Sequence, residues 1–203
     1  MALTEPGSGP SWLQHRIRNI LFSASEEWDR IEAEPATIKG LYLRYACLLA
    51  AIGPVARFIG GQVFGHQGFF LTVRPPLVRS IVAAVVDYGL SLAGVFLLGL
   101  VIDLLAPSFG GVRNRIQALK VAVYGWTAAW LFAIFQLAPP VSGLSVIGLY
   151  SLYLLYLGVP KLMKAPREKA AVYAVLSIVV AMAVWIVVTL VAAALVAASV
   201  PGV

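Results

Sequence analysis

The 203-residue chain is 61% hydrophobic and only 12% charged, with a mean hydropathy of +0.90. Charged residues make up about a quarter of a soluble domain, so this composition excludes an ordinary water-soluble globule, and the length excludes two large domains. The net charge of +6 arises from short basic clusters between apolar runs; that distribution orients a protein in a membrane and argues against nucleic-acid binding.

Residues 1–37 read as a cytosolic N-terminal segment. Trp12, Ile17, Ile20, Leu21 and Phe22 recur near helical spacing while His15, Arg16 and Arg18 supply charge, which predicts a short amphipathic helix on the membrane surface. Ser23 with Glu26 fits a capping box opening a second helix through Glu27, Trp28, Ile31 and Glu32 that ends before Pro35. This segment either docks a partner or packs on basic loops of the same side, Arg113, Arg115 and the cluster from Lys161 to Lys169. Residues 1–40 carry six acids and no uninterrupted apolar core, so no cleavable signal is expected.

A membrane crossing needs about 20 apolar residues. Five stretches within residues 38–200 qualify, near 41–61, 80–105, 118–137, 141–162 and 170–199, and they predict an all-α integral membrane bundle. In the first, Pro54 after Gly53 should kink the helix and free a carbonyl, with Arg57 one turn away as a donor. The lone Cys47 there cannot form an internal disulfide and reads as a small packed hydrophobe. Residues 61–70, rich in Gly and aromatics, are followed by Arg74-Pro75-Pro76 and read as an interfacial or partly re-entrant loop. Pro139-Pro140 with Ser142-Gly143 divides the long apolar run 121–160 into the third and fourth crossings. The fifth run exceeds one crossing and must tilt or project a turn into the headgroups. Thr189, Ala193 and Ala197 recur every four residues there, a seam for close approach of another helix of this chain or of a second copy.

Orientation follows from the basic residues of the connections. Arg16, Arg18, Arg30 and Lys39 before the first span, Arg113, Arg115 and Lys120 after the second, and Lys161, Lys164, Arg167 and Lys169 after the fourth all belong to one side. The other side offers Arg74 and Arg79. Cationic flanks are retained in the cytoplasm, so the N-terminus is expected inside and the C-terminus outside.

Four ionisable residues lie within the first two spans, each costing about 2.5–3.5 kcal/mol at bilayer depth unless partnered or hydrated. In antiparallel neighbours, residues at equal depth have a constant sum of positions. Arg44 with Asp103 and Arg57 with Asp87 differ in that sum by three, less than one helical turn. Both are expected as inter-helix ion pairs. They serve either to fix the register of the hairpin or, at Asp87, to line a polar cavity for a proton, a cation or a lipid headgroup. A polar path would draw on Tyr124, Tyr150 and Tyr153, residue types that serve equally in helix packing or in an interfacial belt.

Catalytic signatures are lacking. The sequence holds no P-loop, no H-E-x-x-H and no G-x-S-x-G, and His15 and His66 are expected on opposite membrane faces where they cannot share a metal. No catalytic, metal-ligating or cofactor-binding residue emerges, so an enzyme is not expected.

Three blocks carry a family resemblance: residues 26–35, Glu-Glu-Trp-Asp-Arg-Ile-Glu-Ala-Glu-Pro; residues 121–127, Val-Ala-Val-Tyr-Gly-Trp-Thr; and residues 149–163, Leu-Tyr-Ser-Leu-Tyr-Leu-Leu-Tyr-Leu-Gly-Val-Pro-Lys-Leu-Met. Through them the chain resembles the Yip family of five-span membrane proteins, named for Ypt/Rab-interacting proteins, and within it the bacterial inner-membrane branch. The resemblance implies a cytosolic N-terminus, five spans and an outward C-terminus in the inner (plasma) membrane. Eukaryotic relatives bind prenylated Rab GTPases in vesicle traffic. This chain lacks their long N-terminal region and their Asp-Leu-Tyr-Gly-Pro type motif before the first span, and only Tyr124-Gly125 is similar to their third-span signature, so Rab binding is not expected here. Two functions are compatible with these readings: a non-enzymatic scaffold or interaction protein, in contact with the bilayer and with copies of itself or other membrane proteins, and a small transporter or channel for protons, cations or lipids using Arg57 and Asp87.

Overall fold

The computed structural model describes residues 10–67 and 72–199. Five helical segments among them are long and apolar enough to cross a membrane: Ile38–Val63, Leu77–Phe109, Arg115–Leu137, Pro139–Leu162 and Arg167–Ala198. Helices are the natural form for such sequences, because hydrocarbon offers no partner to an unpaired backbone N–H or C=O. Two shorter helices precede them, α1 (Pro10–Phe22) and α2 (Ala24–Ala33). The fold is all-α apart from one two-residue antiparallel pairing of His66–Gln67 with Thr72–Val73, which closes the first inter-span loop. Residues 68–70 of that aromatic loop lie outside the described residues.

Three of the spans are irregular. The first contains a π-helical turn, Tyr42–Ala46, and a break at Ala51 three residues before Pro54. Proline lacks the N–H that would bond to Ala50, and the helix resumes with the Val55 N–H on Ala51 O. The third span runs α-helically from Arg115 to Gly125, breaks at Trp126, resumes over Thr127–Phe132 and tightens to 3-10 geometry over Ala133–Leu137. At the break, the Ala129 N–H is satisfied by Ser151 Oγ of the fourth span at 2.8 Å. The fourth begins as an eleven-residue 3-10 helix, Pro139–Leu149, before becoming α-helical over Tyr150–Leu162. A 3-10 run longer than three or four residues is uncommon, and here it follows the proline pair that starts it.

The third span is the most enclosed, with 61% of its apolar window buried, while the fifth buries 6%. The fifth, a single helix over Arg167–Ser199, packs on the second and fourth through Tyr173, Ala174, Ser177 and Ala181, approaches Gly94 of the second with Val184 and Val188, and leaves most of its remaining surface exposed. The core is densest at the end carrying α1 and α2, where Ile20, Trp28, Ile31, Tyr45, Leu119, Leu154 and Leu155 are fully buried or nearly so. Gly158 of the fourth span makes that packing possible, because a Cβ there would lie 2.7 to 2.9 Å from three atoms of the Trp28 indole.

Candidate functional site

The second span packs on both the first and the fifth, and the groove between these lies over it. A cavity of about 400 Å³ opens there, bounded also by the third span. Its polar centre is an ion pair between Arg57 Nη2 and Asp87 Oδ2. Gln136 Oε1, brought in by the 3-10 segment of the third span, accepts from Arg57 Nη1 at 2.7 Å. That segment approaches closely because Gly60 faces it: a Cβ at Gly60 would lie 2.6 Å from Leu137 O. The pair is not sealed in a dry interface, since the Arg57 side chain is 46% exposed and that of Asp87 30%. Deeper in the groove, Trp130 Nε1 donates to Ser91 Oγ at 3.0 Å, and the Thr189 hydroxyl bonds back to Trp185 O at 2.9 Å. A second cavity of about 390 Å³ adjoins the first and shares Pro54, Arg57, Asp87 and Ala192 with it.

The other residues singled out from sequence are distributed differently. Arg44 and Asp103 are not brought together: Asp103 is 5% exposed and takes Arg113 Nη2 at 3.5 Å. The register explains this. Tyr42 OH donates to Leu92 O and Tyr88 OH to Cys47 O, each at 3.2 Å, so Arg44 stands level with positions near 91. Asp103 lies about twelve residues, or roughly 18 Å of helix, beyond that level. Arg113 reaches Asp103 because the chain turns back at Gly110, whose φ of +73° suits a residue without Cβ. Arg44 lines a shallow cleft with Trp12, Pro35, Tyr45 and Tyr124.

None of the three tyrosines lines the groove. Tyr124 is buried edge-on to Tyr45, 4.7 Å between ring centroids, while Tyr150 donates to Leu21 O at 3.0 Å and Tyr153 packs beside it at 5.3 Å. Arg57 makes its bonds to Gln136 and Asp87, not to the carbonyl freed by Pro54. Thr189, Ala193 and Ala197 are exposed on the fifth span, so their seam is not used for packing within the chain. Ser23 stands at the start of α2 without a side-chain cap bond, its φ and ψ of −135° and 43° turning the hydroxyl away from the capping-box arrangement.

The second polar constellation lies at the end carrying α1 and α2; of the two expectations for this segment, packing on the basic cluster that begins at Lys161 is the one seen, whereas the burial of Arg16 and Lys120 was not expected. Arg16, assigned to the polar face of α1, is 4% exposed. Its guanidinium bonds to Glu27 at 2.6 Å and to Glu34, and it stacks over the rings of Trp12 at 5.4 Å and Tyr124 at 5.5 Å. Burial works against its charge, but the bond to Glu34 and the fields of Tyr124, Glu34 and Glu27 outweigh it and hold the Arg16 pKa above its ordinary value. Lys120, 2% exposed, donates to Ile31 O at 2.6 Å and to Glu34 O, and Gln117 donates to Glu32 O at 2.9 Å. These carbonyls form the C-terminal end of α2, where unpaired C=O groups and the helix dipole favour a cation. Lys161 pairs with Asp29 at 2.7 Å and donates to Ser25 O, and Lys164 pairs with Glu32. The hairpin of α1 and α2 is thereby fastened to the basic ends of the third and fourth spans. For the buried Arg16 the signal in the sequence is Trp12 and Arg16 four residues apart, one face of a helix joining an aromatic ring to a cation.

Five apolar crossings and a polar hairpin fastened across one end define a multi-pass helical membrane protein. The chain matches the Yip1 domain over residues 18–198 and belongs to that family. It is 30% identical over 155 residues to the inner membrane protein YohC of Escherichia coli K12, a match covering 73% of this chain and 80% of that protein. The YohC of Escherichia coli O6:H1 matches to the same extent. No solved structure matches the chain.

Two of the three sequence blocks that carry the resemblance have structural duties in common. Within residues 149–163, Tyr150, Gly158 and Lys161 each meet the α1–α2 hairpin, and Ser151 closes the break beside Trp126 of the 121–127 block.

Proposed function

We propose that this protein is a non-enzymatic membrane interaction protein of the Yip type, with the α1–α2 hairpin at the cytoplasmic face, the C-terminus outside, and the outer face of the last span as its contact surface. One observation carries this reading: the last span leaves large apolar side chains such as Ile186, Val187 and Leu190 about half exposed or more, beside the Thr189, Ala193 and Ala197 seam, whose first two residues border the groove and whose third lies outside it. Small residues every fourth position let a second helix approach closely in lipid. The partner is a second copy or another membrane protein; no feature supports a Rab GTPase.

The test is cysteine crosslinking in membranes at native abundance. With Cys47→Ala as background, Ala193→Cys and Ala197→Cys should give crosslinked dimers or recurrent heteromeric products, whereas Val172→Cys on the same helix should not. Monomer alone at every position contradicts the proposal. Reporter fusions at both termini test the orientation separately.

A second reading, a small transporter or channel, is supported by the half-open Arg57–Asp87 pair facing a cavity. Proton, cation and lipid flux in liposomes, compared between wild type and Asp87→Asn, decides it; absence of all three fluxes eliminates it.

A further inference from the structure

The groove beside the last span is a graded cavity, not a uniform cleft. Its inner compartment extends along the second span from Asp87 to Leu98 and is walled mainly by apolar side chains such as Leu90, Val95, Leu98, Val184 and Val188, while the polar groups of Ser91, Trp130 and Thr189 there are already engaged in hydrogen bonds. That distance is eleven residues, about 16 Å, close to the hydrocarbon depth of one leaflet. Its outer compartment runs from the same ion pair toward Arg79 and Pro75 at the far end of the bundle from α1 and α2. At the junction stand one cation and one anion, Arg57 and Asp87, each partly exposed to the groove. Two cavities of about 400 and 390 Å³ that meet at a charge pair lie within the size range of small-molecule sites.

We propose that this groove binds one zwitterionic phospholipid of the phosphatidylethanolamine kind, with an acyl chain in the inner compartment, the phosphate on Arg57 and the ammonium on Asp87. Charge complementarity selects this occupant. An anionic headgroup would bring its phosphate to Arg57 but press its negative charge against the Asp87 carboxylate. A headgroup carrying both charges satisfies both side chains, and its ammonium has hydrogens to donate to the carboxylate. A free amino-phosphate ester would offer the same charges but would leave the inner compartment without an apolar occupant. Arg57 holds Gln136 Oε1 on Nη1 and Asp87 Oδ2 on Nη2, which fixes the guanidinium, and the exposed parts of the two side chains are what the headgroup's phosphate and ammonium meet. The site does not depend on the scaffold reading; it stands whether the protein assembles with partners or moves lipid.

The test is native mass spectrometry of the full chain purified in mild detergent and titrated with dioleoyl phosphatidylethanolamine or dioleoyl phosphatidylglycerol. Wild type should retain one phosphatidylethanolamine in preference to phosphatidylglycerol. Asp87→Asn should weaken that binding by about tenfold, the loss of one charge-assisted hydrogen bond, and abolish the preference. Ala192→Phe, which fills the groove from the last span and leaves both charges in place, should reduce retention of both lipids. Equal binding of the two lipids by wild type overturns the proposal, as does unchanged retention in Ala192→Phe. The latter variant keeps the test decisive should Asp87→Asn fail to fold.

Discussion

Substituting Gly158 by alanine places a methyl group 2.7 Å from Trp28 Cζ2, 2.8 Å from Cε2 and 2.9 Å from Cη2. Contacts that short cannot persist, and the indole is 0% exposed, so it has no free space to turn into. Forcing a methyl group into a filled core typically costs 1–3 kcal/mol. The fourth span is held in the bundle on its other faces, while α2 is joined to it through side chains and Lys161, so the strain should be relieved by α2 moving off the span. An opening made easier by 1–3 kcal/mol corresponds to roughly a 5- to 150-fold rise in the undocked population of the hairpin. Hydrogen exchange of the α2 amides in detergent reads this directly: those amides should exchange faster by that factor, while amides of the second and third spans keep wild-type protection. Combining Gly158→Ala with Trp28→Leu, which removes the clashing ring, should cost less than the two single changes added together. Wild-type exchange in α2, or additive single effects, would refute the reasoning.

Three further outcomes are expected. Arg16→Met removes the cation shared by Glu27 and Glu34 and leaves Glu27 buried with only Asn19 and Arg30; docking of the hairpin should weaken by about 3 kcal/mol, seen as cleavage by added protease between α1 and the first span. Asp87→Leu strands Arg57 in an apolar groove, so the double variant Arg57→Leu, Asp87→Leu should be more heat-resistant in detergent than Asp87→Leu alone; the reverse order would show that the pair is not the partner Arg57 depends on. Asn114→Ala removes the side-chain oxygen that accepts from Gln117 N–H at 3.1 Å and should lower thermal stability by about 1 kcal/mol, measured beside Arg115→Ala as a neighbouring surface control.

Much of the architecture is written in hydropathy alone. Twenty or more apolar residues at a stretch impose a crossing, and the proline pair at 139–140 imposes the division between the third and fourth. Pairing by depth brings Arg57 opposite Asp87, since both lie within straight helix on the same half of their spans. The same method fails at Asp103, because it assumes a single register along the whole hairpin. The tyrosine bonds to Leu92 and Cys47 set another register in the other half, and a loop turned by Gly110 supplies the cation. The tyrosines fail as a polar path for a related reason. Spacing along the chain says how far apart they are, whereas the break at Trp126, after Tyr124, and the 3-10 stretch over Pro139–Leu149, before Tyr150 and Tyr153, bear on which way each of them faces. Gln136 was visible as a polar residue in a late span, but only the 3-10 turn and the close approach at Gly60 show that it reaches Arg57.

The eleven-residue 3-10 stretch at Pro139–Leu149 bears on how this protein fits its bilayer. At about 2.0 Å per residue it spans about 22 Å, where an α-helix of equal length would reach about 16.5 Å. The difference, about 5.5 Å, equals one α-helical pitch and is comparable to the variation in hydrocarbon thickness among cellular membranes. The fourth span therefore holds adjustable length in its backbone winding: tighter 3-10 coiling lengthens it for thicker lipid and looser α-helical coiling shortens it for thinner lipid, without tilting the helices around it.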